Sequence, residues 1–86
     1  MSENYQPTGR QIAAARALLG LAQTELAEIA RISIATLRRM EASEGPAVGM
    51  ANNVSAIQAA LEAAGVIFVA ENGEGAGVRL RKGVGP

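Results

Sequence analysis

The side chains that could carry chemistry in this chain are guanidinium groups placed close together. Arg31, Arg38 and Arg39 fall within one short segment, and Ser33 and Thr36 add hydroxyl groups to it. A guanidinium is a planar fork of N–H donors that matches a carboxylate, a phosphate or the O6 and N7 acceptors of guanine. Without further context, two adjacent arginines more often mark a solvated helix face. The elements around them must therefore decide between the two interpretations.

The composition excludes most catalytic chemistry. The 86 residues include no His and no Cys, and no Asp occurs in the sequence. Thiol nucleophiles, histidine acid–base catalysis, zinc sites and Ser-His-Asp triads are thereby excluded. A mechanism with two glutamates is conceivable, but no pair of Glu forms such a constellation and a small fold has little room for a pocket. We expect no enzyme activity, no metal, no cofactor and no small-molecule ligand.

Charge gives a mixed indication. Eight basic and eight acidic residues leave a net charge of zero, whereas a dedicated nucleic-acid binder usually has a basic excess. The basic residues are unevenly distributed, with Arg10 and Arg16 near the start and Arg79, Arg81 and Lys82 near the end. A basic face is compatible with a neutral protein.

The chain has the length of one domain, residues 1–86. It has no cysteine for a disulfide, no apolar run of membrane-spanning length and no signal segment. We expect a cytoplasmic protein that does not enter a membrane. A chain this short builds only a modest core.

Hydrophobic periodicity predicts three helices in the first half of the chain, at about residues 8–19, 23–30 and 34–41. Gly20 is the stop signal of the first helix, and Ser33 is a good N-cap for the third. The second helix begins after Ala22, which has no side-chain oxygen to accept a backbone N–H, so this end should fray. The pattern is thus helix, tight turn, helix.

The second half predicts one more helix and a hairpin. After a loop rich in Gly and Pro, Asn52 or Asn53 is the expected N-cap of a fourth helix that reaches Ala64. Strands are expected at 66–69 and at 78–81, joined by a Gly-rich turn. The fold class is mainly α, with a helical part at 8–64 and a C-terminal two-stranded β-hairpin at 65–82.

The segments Gln23–Ala30, Arg31-Ile32-Ser33 and Ile34–Glu41 resemble the helix-turn-helix of the Xre and phage-repressor family, the lambda repressor-like or Cro/C1 type. The upstream segment 15–21 is similar to that family's first helix, and the resemblance covers roughly residues 10–65. Segments 61–68 and 77–81 resemble small bacterial members with a C-terminal hairpin. The resemblance implies a four-helix repressor-like domain in which the third helix lies in the DNA major groove.

The resemblance also implies which residues meet DNA. Ile34, Ala35 and Arg39 are expected to face bases, and Arg38 to reach a base edge or a phosphate. The residues expected to contact the DNA backbone are Gln23, Thr24, Arg31, Ser33, Thr36, Asn52 and Asn53.

Two positions depart from the family pattern. The first is Arg31, which stands where glycine is common; if its backbone is left-handed, the strain is about 1 kcal/mol, which a phosphate contact could offset. The second is Ala22, where the family commonly has Ser or Thr. Both departures bear on the strength of DNA binding rather than on the fold.

The hairpin is the expected dimerisation element. Its first strand has apolar side chains on both faces, and a lone two-stranded ribbon is marginal in water. The residues predicted to form the dimer interface are Val66, Ile67, Phe68, Val69, Val78 and Leu80. The alternative is a lid that completes the core of one chain.

Two functions remain open at this point. The first is a sequence-specific transcriptional regulator, a repressor acting as a homodimer on double-stranded DNA with a pseudo-palindromic operator. The second is a protein-interaction module, antiactivator or antitoxin-like, which uses the same scaffold to hold a protein partner. Zero net charge, Ala22, Arg31 and the apolar pair Ile34-Ala35 favour the second, and the pair Arg38-Arg39 favours the first.

Overall fold

Four helices and one antiparallel hairpin form the part of the chain that the computed structural model describes, residues 6–47 and 49–83. The helices are α1 (Gly9–Leu19), α2 (Gln23–Ala30), α3 (Ile34–Glu41) and α4 (Ala51–Ala63), and the strands are β1 (Val66–Val69) and β2 (Gly77–Leu80). The predicted order of four helices followed by a hairpin is confirmed. None of these helices has the length and apolar character needed to cross a bilayer.

Helix α1 begins with a complete capping box. The Thr8 hydroxyl accepts the N–H of Gln11 at 3.0 Å, and the Gln11 amide oxygen accepts the N–H of Thr8 at 2.8 Å. Two N–H groups that have no partner inside the helix are satisfied in this way. The helix ends at Gly20, whose left-handed φ of 72° gives the expected stop.

Helices α2 and α3 have the predicted bounds. At the start of α2, Ala22 has no side-chain oxygen to accept a backbone N–H, but the Glu25 carboxylate accepts the N–H of Ala22 at 2.7 Å, so half of a capping box is present. Ser33 caps α3 as expected, because its hydroxyl accepts the N–H of Thr36 at 3.1 Å. Between the helices, Arg31 has φ 60° and ψ 46°, and it is the non-glycine residue with positive φ in the described chain.

Helix α4 starts earlier than expected. Its N-cap is Met50, and the prediction that Asn52 or Asn53 caps it is wrong. The backbone of Met50 is extended, with φ −68° and ψ 142°, and its carbonyl accepts the N–H of Asn53 at 2.9 Å and that of Val54 at 3.1 Å. Both asparagines therefore lie in the first turn, where backbone geometry rather than a side-chain oxygen has set the boundary.

The second strand lies one residue earlier than predicted, at 77–80 rather than 78–81. Val66 pairs with Leu80, Ile67 with Arg79, Phe68 with Val78 and Val69 with Gly77. Residues that pair directly share a face of the sheet. The inner face therefore carries Val66, Phe68, Val78 and Leu80, while Ile67, Val69 and Arg79 lie on the outer face.

All four helices and β1 contribute to one core. Its buried apolar residues are Ile12, Ala15, Leu26, Ala27, Leu37, Met40, Ala47, Val54, Ile57, Leu61 and Val66. The inner face of the hairpin packs against this core through Phe68, Val78 and Leu80. The hairpin thus closes the core of the single chain, as the lid interpretation expects.

The start of α1 passes very close to the end of α3. A Cβ added to Gly9 would overlap the backbone carbonyl oxygens of Met40 and Ser43. The Gly9 N–H donates to the carbonyl of Gly45 at 3.2 Å in the same region. Glycine is needed here for the close approach, which the sequence pattern did not reveal.

Candidate functional site

The outward face of α3 combines two arginines with a small residue. Ala35, Arg38 and Arg39 are all exposed, and their i, i+3, i+4 spacing places them side by side on the helix surface. Within residues 6–47 and 49–83, neither guanidinium forms an ion pair or a side-chain hydrogen bond. This face offers two fork-shaped cations to a partner outside the chain.

The opposite face of α3 fixes the helix in place. Leu37 and Met40 are 0% exposed, so the helix cannot rotate without opening the core. Ile34 is half-buried and packs against the core. Of the four residues predicted to contact bases, three are therefore exposed, and Ile34 presents only part of its side chain.

The turn before α3 and the first turn of α3 carry several of the polar residues that were expected near phosphates. Arg31 and Ser33 are exposed, and Thr36 is half-buried. The Ser33 hydroxyl donates to the Thr36 hydroxyl oxygen at 2.8 Å. Arg31 lies in the left-handed turn between α2 and α3. Its cation is therefore close in sequence to the exposed arginine face.

A cluster of polar side chains, which the sequence analysis did not identify, joins three helices. Glu41 at the end of α3 accepts Arg16 Nε at 2.9 Å and Arg16 Nη2 at 3.1 Å. It also accepts the Gln23 amide at 2.9 Å, and Arg16 Nη1 donates to the Leu21 carbonyl. The Glu41 side chain is only 7% exposed. This Arg16–Glu41–Gln23 cluster fixes the end of α3 relative to α1 and to the start of α2.

The cluster changes the charge around α3. The hydrogen bond from Arg16 to Glu41 raises the pKa of Arg16 above its ordinary value. Because its pKa is raised, the charged form of Arg16 stabilises the fold at every pH below the ordinary pKa of arginine, and this stabilisation is lost only at a still higher pH. Arg16 therefore stays charged under physiological conditions. The Glu41 carboxylate thus pairs with Arg16 inside the fold and not with Arg38 or Arg39.

The predicted contact of Gln23 with the DNA backbone stays a prediction. Its side-chain amide donates to Glu41, which leaves its backbone N–H for an outside acceptor. Thr24 beside it is exposed, as is Asn52 at the start of α4, whereas Asn53 is half-buried.

The hairpin residues predicted for a dimer interface divide between two faces. Val66 is 2% exposed and belongs to the core, while Ile67 and Val69 lie on the outer face.

Gln11, which is 4% exposed, donates its side-chain amide to the Val69 carbonyl at 3.2 Å and to the Gly77 carbonyl at 2.9 Å. The sequence gives only a partial indication of this role of Gln11. The Thr-x-x-Gln capping-box pattern at 8–11 was the available signal for part of its role.

The remaining chemistry of the surface is sparse. In the described segments, no group of three or more His, Cys, Asp or Glu side chains could hold a metal ion. An open cleft of about 440 Å³ lies between the start of α1 and the hairpin. Arg10 and Glu44 on its rim are 3.8 Å apart and largely exposed, and exposed pairs of this kind contribute little.

Comparisons with family models and with curated proteins do not indicate a function for this chain. No protein-family model matches the sequence, and no curated protein matches it significantly.

Proposed function

We propose that this protein is a sequence-specific DNA-binding transcriptional regulator, a repressor that acts as a homodimer in the bacterial cytoplasm. The observation that carries the proposal is the exposed Ala35–Arg38–Arg39 face on a helix whose other side is locked into the core. In this proposal α2 and α3 form a helix-turn-helix, and α3 enters the major groove.

The chemistry of the exposed face fits base edges. An arginine that donates two hydrogen bonds to guanine contributes about 1–3 kcal/mol of discrimination against the wrong base. Ala35 is small enough to let the helix approach closely and can contact a thymine methyl group. Arg39 and Arg38 supply the hydrogen bonds, and the exposed part of Ile34 adds apolar contact.

Phosphate contacts come from residues at the ends of the two helices. Arg31 and Thr24 are exposed on either end of α2, and the hydroxyl groups of Ser33 and Thr36 lie at the start of α3. Such contacts fix the orientation of the protein on the duplex without reading its sequence. Asn52 is the corresponding candidate at the start of α4.

Binding to labelled duplexes tests the proposal. Fluorescence anisotropy would compare duplexes tiled across the region upstream of the protein's own gene with scrambled duplexes, at low and near-physiological salt. We expect submicromolar binding to one upstream duplex that weakens with salt, because neutralising phosphates releases counterions. Equal binding to every duplex, or none at either salt concentration, would contradict sequence-specific regulation.

A protein-interaction module is the second candidate, and two observations favour it. The protein has no net charge, and the large apolar side chains it exposes include Leu18 at 38%, Ile29 at 58% and Met50 at 68%. Salt separates the two functions, since an apolar protein interface does not lose affinity steeply as salt rises. Salt-insensitive capture of a protein partner, together with no preference among duplexes, would support this alternative.

A further inference from the structure

The two strands of the hairpin differ in how their free edges are protected. β1 (Val66–Val69) has no charged side chain, whereas Arg79 in β2 and Arg81 just after it are exposed. In the described chain β1 pairs only with β2. The unpaired backbone groups of an edge strand are a template for another strand, and charged side chains are a common protection against such pairing. β1 is therefore the edge that is open to a partner.

Charge is separated along the hairpin. Glu71 and Glu74 lie at the tip, between the strands, and Arg81 and Lys82 lie at the opposite end, after β2; all four are exposed. When two such hairpins pair antiparallel, the acidic tip of each lies beside the basic end of the other. This complementarity favours a second copy of the chain as the partner.

We propose that β1 pairs antiparallel with β1 of a second copy, centred on Phe68, and that Glu71 forms an ion pair with the partner's Arg81. The result is a four-stranded sheet with strand order β2-β1-β1-β2. This inference specifies the dimer of the proposed function and depends on that function only for its biological role.

The proposed register can be combined with the pairing observed within one chain. An arrangement centred on Phe68 places Ile67 opposite the partner's Val69. When the pairing is extended two residues past the end of β1 at Val69, Glu71 lies opposite the partner's Gly65. Within one chain, the N–H of Arg81 donates to the Gly65 carbonyl at 2.7 Å, so Arg81 lies next to Gly65. Neighbouring strands are about 4.8 Å apart, so the backbone of Glu71 and that of the partner's Arg81 are separated by about 10 Å.

The residue between these two side chains in the proposed sheet is Gly65. Two long side chains on the same face can meet across about 10 Å, and Gly65 has no side chain to separate them. The twofold symmetry of the dimer repeats the contact, which gives two ion pairs for each dimer. Ile67 and Val69, on the same outer face, lie between the two pairs.

Sedimentation equilibrium of the full chain without DNA tests this arrangement. The wild-type chain should form a dimer. Glu71→Lys and Arg81→Glu should each weaken dimerisation about tenfold, because each converts two attractions into repulsions. The double variant E71K/R81E should return the dissociation constant to within about threefold of wild type.

Arg79→Glu is the matched control. It makes the same charge change on the same face, but Arg79 pairs with Ile67 of its own chain, so in the proposed dimer it lies across from the partner's Val69 rather than from the partner's Glu71. We expect it to change dimerisation less than threefold. A wild-type monomer at all concentrations, equal effects of R79E and R81E, or failure of the double variant to recover would overturn the inference.

The two proposals can fail separately. Rescue of the dimer by E71K/R81E in a protein that binds no duplex would leave the interface standing and contradict the regulator. Specific DNA binding by a protein whose dimer ignores these substitutions would do the reverse.

Discussion

At the scale of single residues, two positions govern backbone geometry in opposite ways. Arg31 occupies a left-handed conformation that disfavours its side chain, and Gly9 occupies a site where any side chain would overlap a neighbouring backbone. The first is a strain that the protein retains at its surface. The second is a close contact on which the packing of α1 depends.

Replacing Arg31 with Gly should stabilise the fold by about 1 kcal/mol, because glycine adopts positive φ without a steric penalty. Urea denaturation measures this. Arg31→Ala is the control: it removes the charge but keeps the strained backbone, so its free energy of unfolding should stay near that of the wild type. If the proposed phosphate contact exists, both variants should bind DNA more weakly even though only one is more stable. A destabilised R31G would contradict the explanation by strain.

Gly9→Ala should lower the free energy of unfolding by about 1–3 kcal/mol, since the added methyl group forces α1 away from the backbone at the end of α3. Thermal and urea denaturation report the change. Gly45→Ala provides a matched comparison, because a Cβ there meets nothing within 4 Å, and it should alter stability by less than about 0.5 kcal/mol. Equal effects of the two substitutions would show that the close approach is unimportant.

At the scale of elements, the helices were more predictable than the contacts between them. The periodicity and caps of α2 and α3 lie within each segment, and their predicted bounds are confirmed. The start of α4 was missed because the extended backbone of Met50 set it, and no side-chain pattern reveals that. The links from Gln11 to the hairpin and from Arg16 to Glu41 join residues far apart in sequence, which local patterns cannot detect. A single sequence shows that those side chains can form hydrogen bonds, but it does not show with which residues.

Gln11 should hold the hairpin against α1. Gln11→Ala removes the bonds to the Val69 and Gly77 carbonyls together with the capping-box acceptor, and should cost about 2–3 kcal/mol. Gln11→Glu keeps the acceptor for the Thr8 N–H but cannot donate to either carbonyl when ionised. We expect amide hydrogen exchange in β1 and β2 to accelerate in both variants, and the protection of the Thr8 N–H to survive only in Q11E. Unchanged exchange in the hairpin would argue against this link.

The Arg16–Glu41–Gln23 cluster should behave as a coupled unit. Because Glu41 is almost fully buried, Glu41→Gln leaves Arg16 without its charged partner and should cost about 2–3 kcal/mol. A double-mutant cycle with Arg16→Met should give a coupling energy above about 1 kcal/mol. High salt should reduce it little, since buried pairs are weakly screened. Additive effects of the two substitutions would mean that the pair does not position α3.

At the scale of the whole molecule, the fold class followed from the sequence, whereas the function remains a proposal. Apolar periodicity and turn residues predicted the helices and the hairpin. They did not show that four of the predicted interface residues, Val66, Phe68, Val78 and Leu80, turn toward the core of their own chain. Which face of a hairpin is inward depends on its register and on the helices beneath it. The orientation of Ile34 likewise depends on the packing around it. Its partial burial reduces the apolar surface that it can present to DNA.

The central claim is that the exposed face of α3 reads base sequence. The most direct test compares Arg39→Ala with Arg10→Ala in anisotropy titrations against the preferred upstream duplex and a scrambled duplex. Both substitutions remove one exposed positive charge, but only Arg39 lies on the proposed reading face. We predict that R39A loses about tenfold or more of the preference between duplexes, while R10A keeps the preference and shows at most a uniform weakening. An unchanged preference in R39A, or an equal loss in R10A, would contradict the claim.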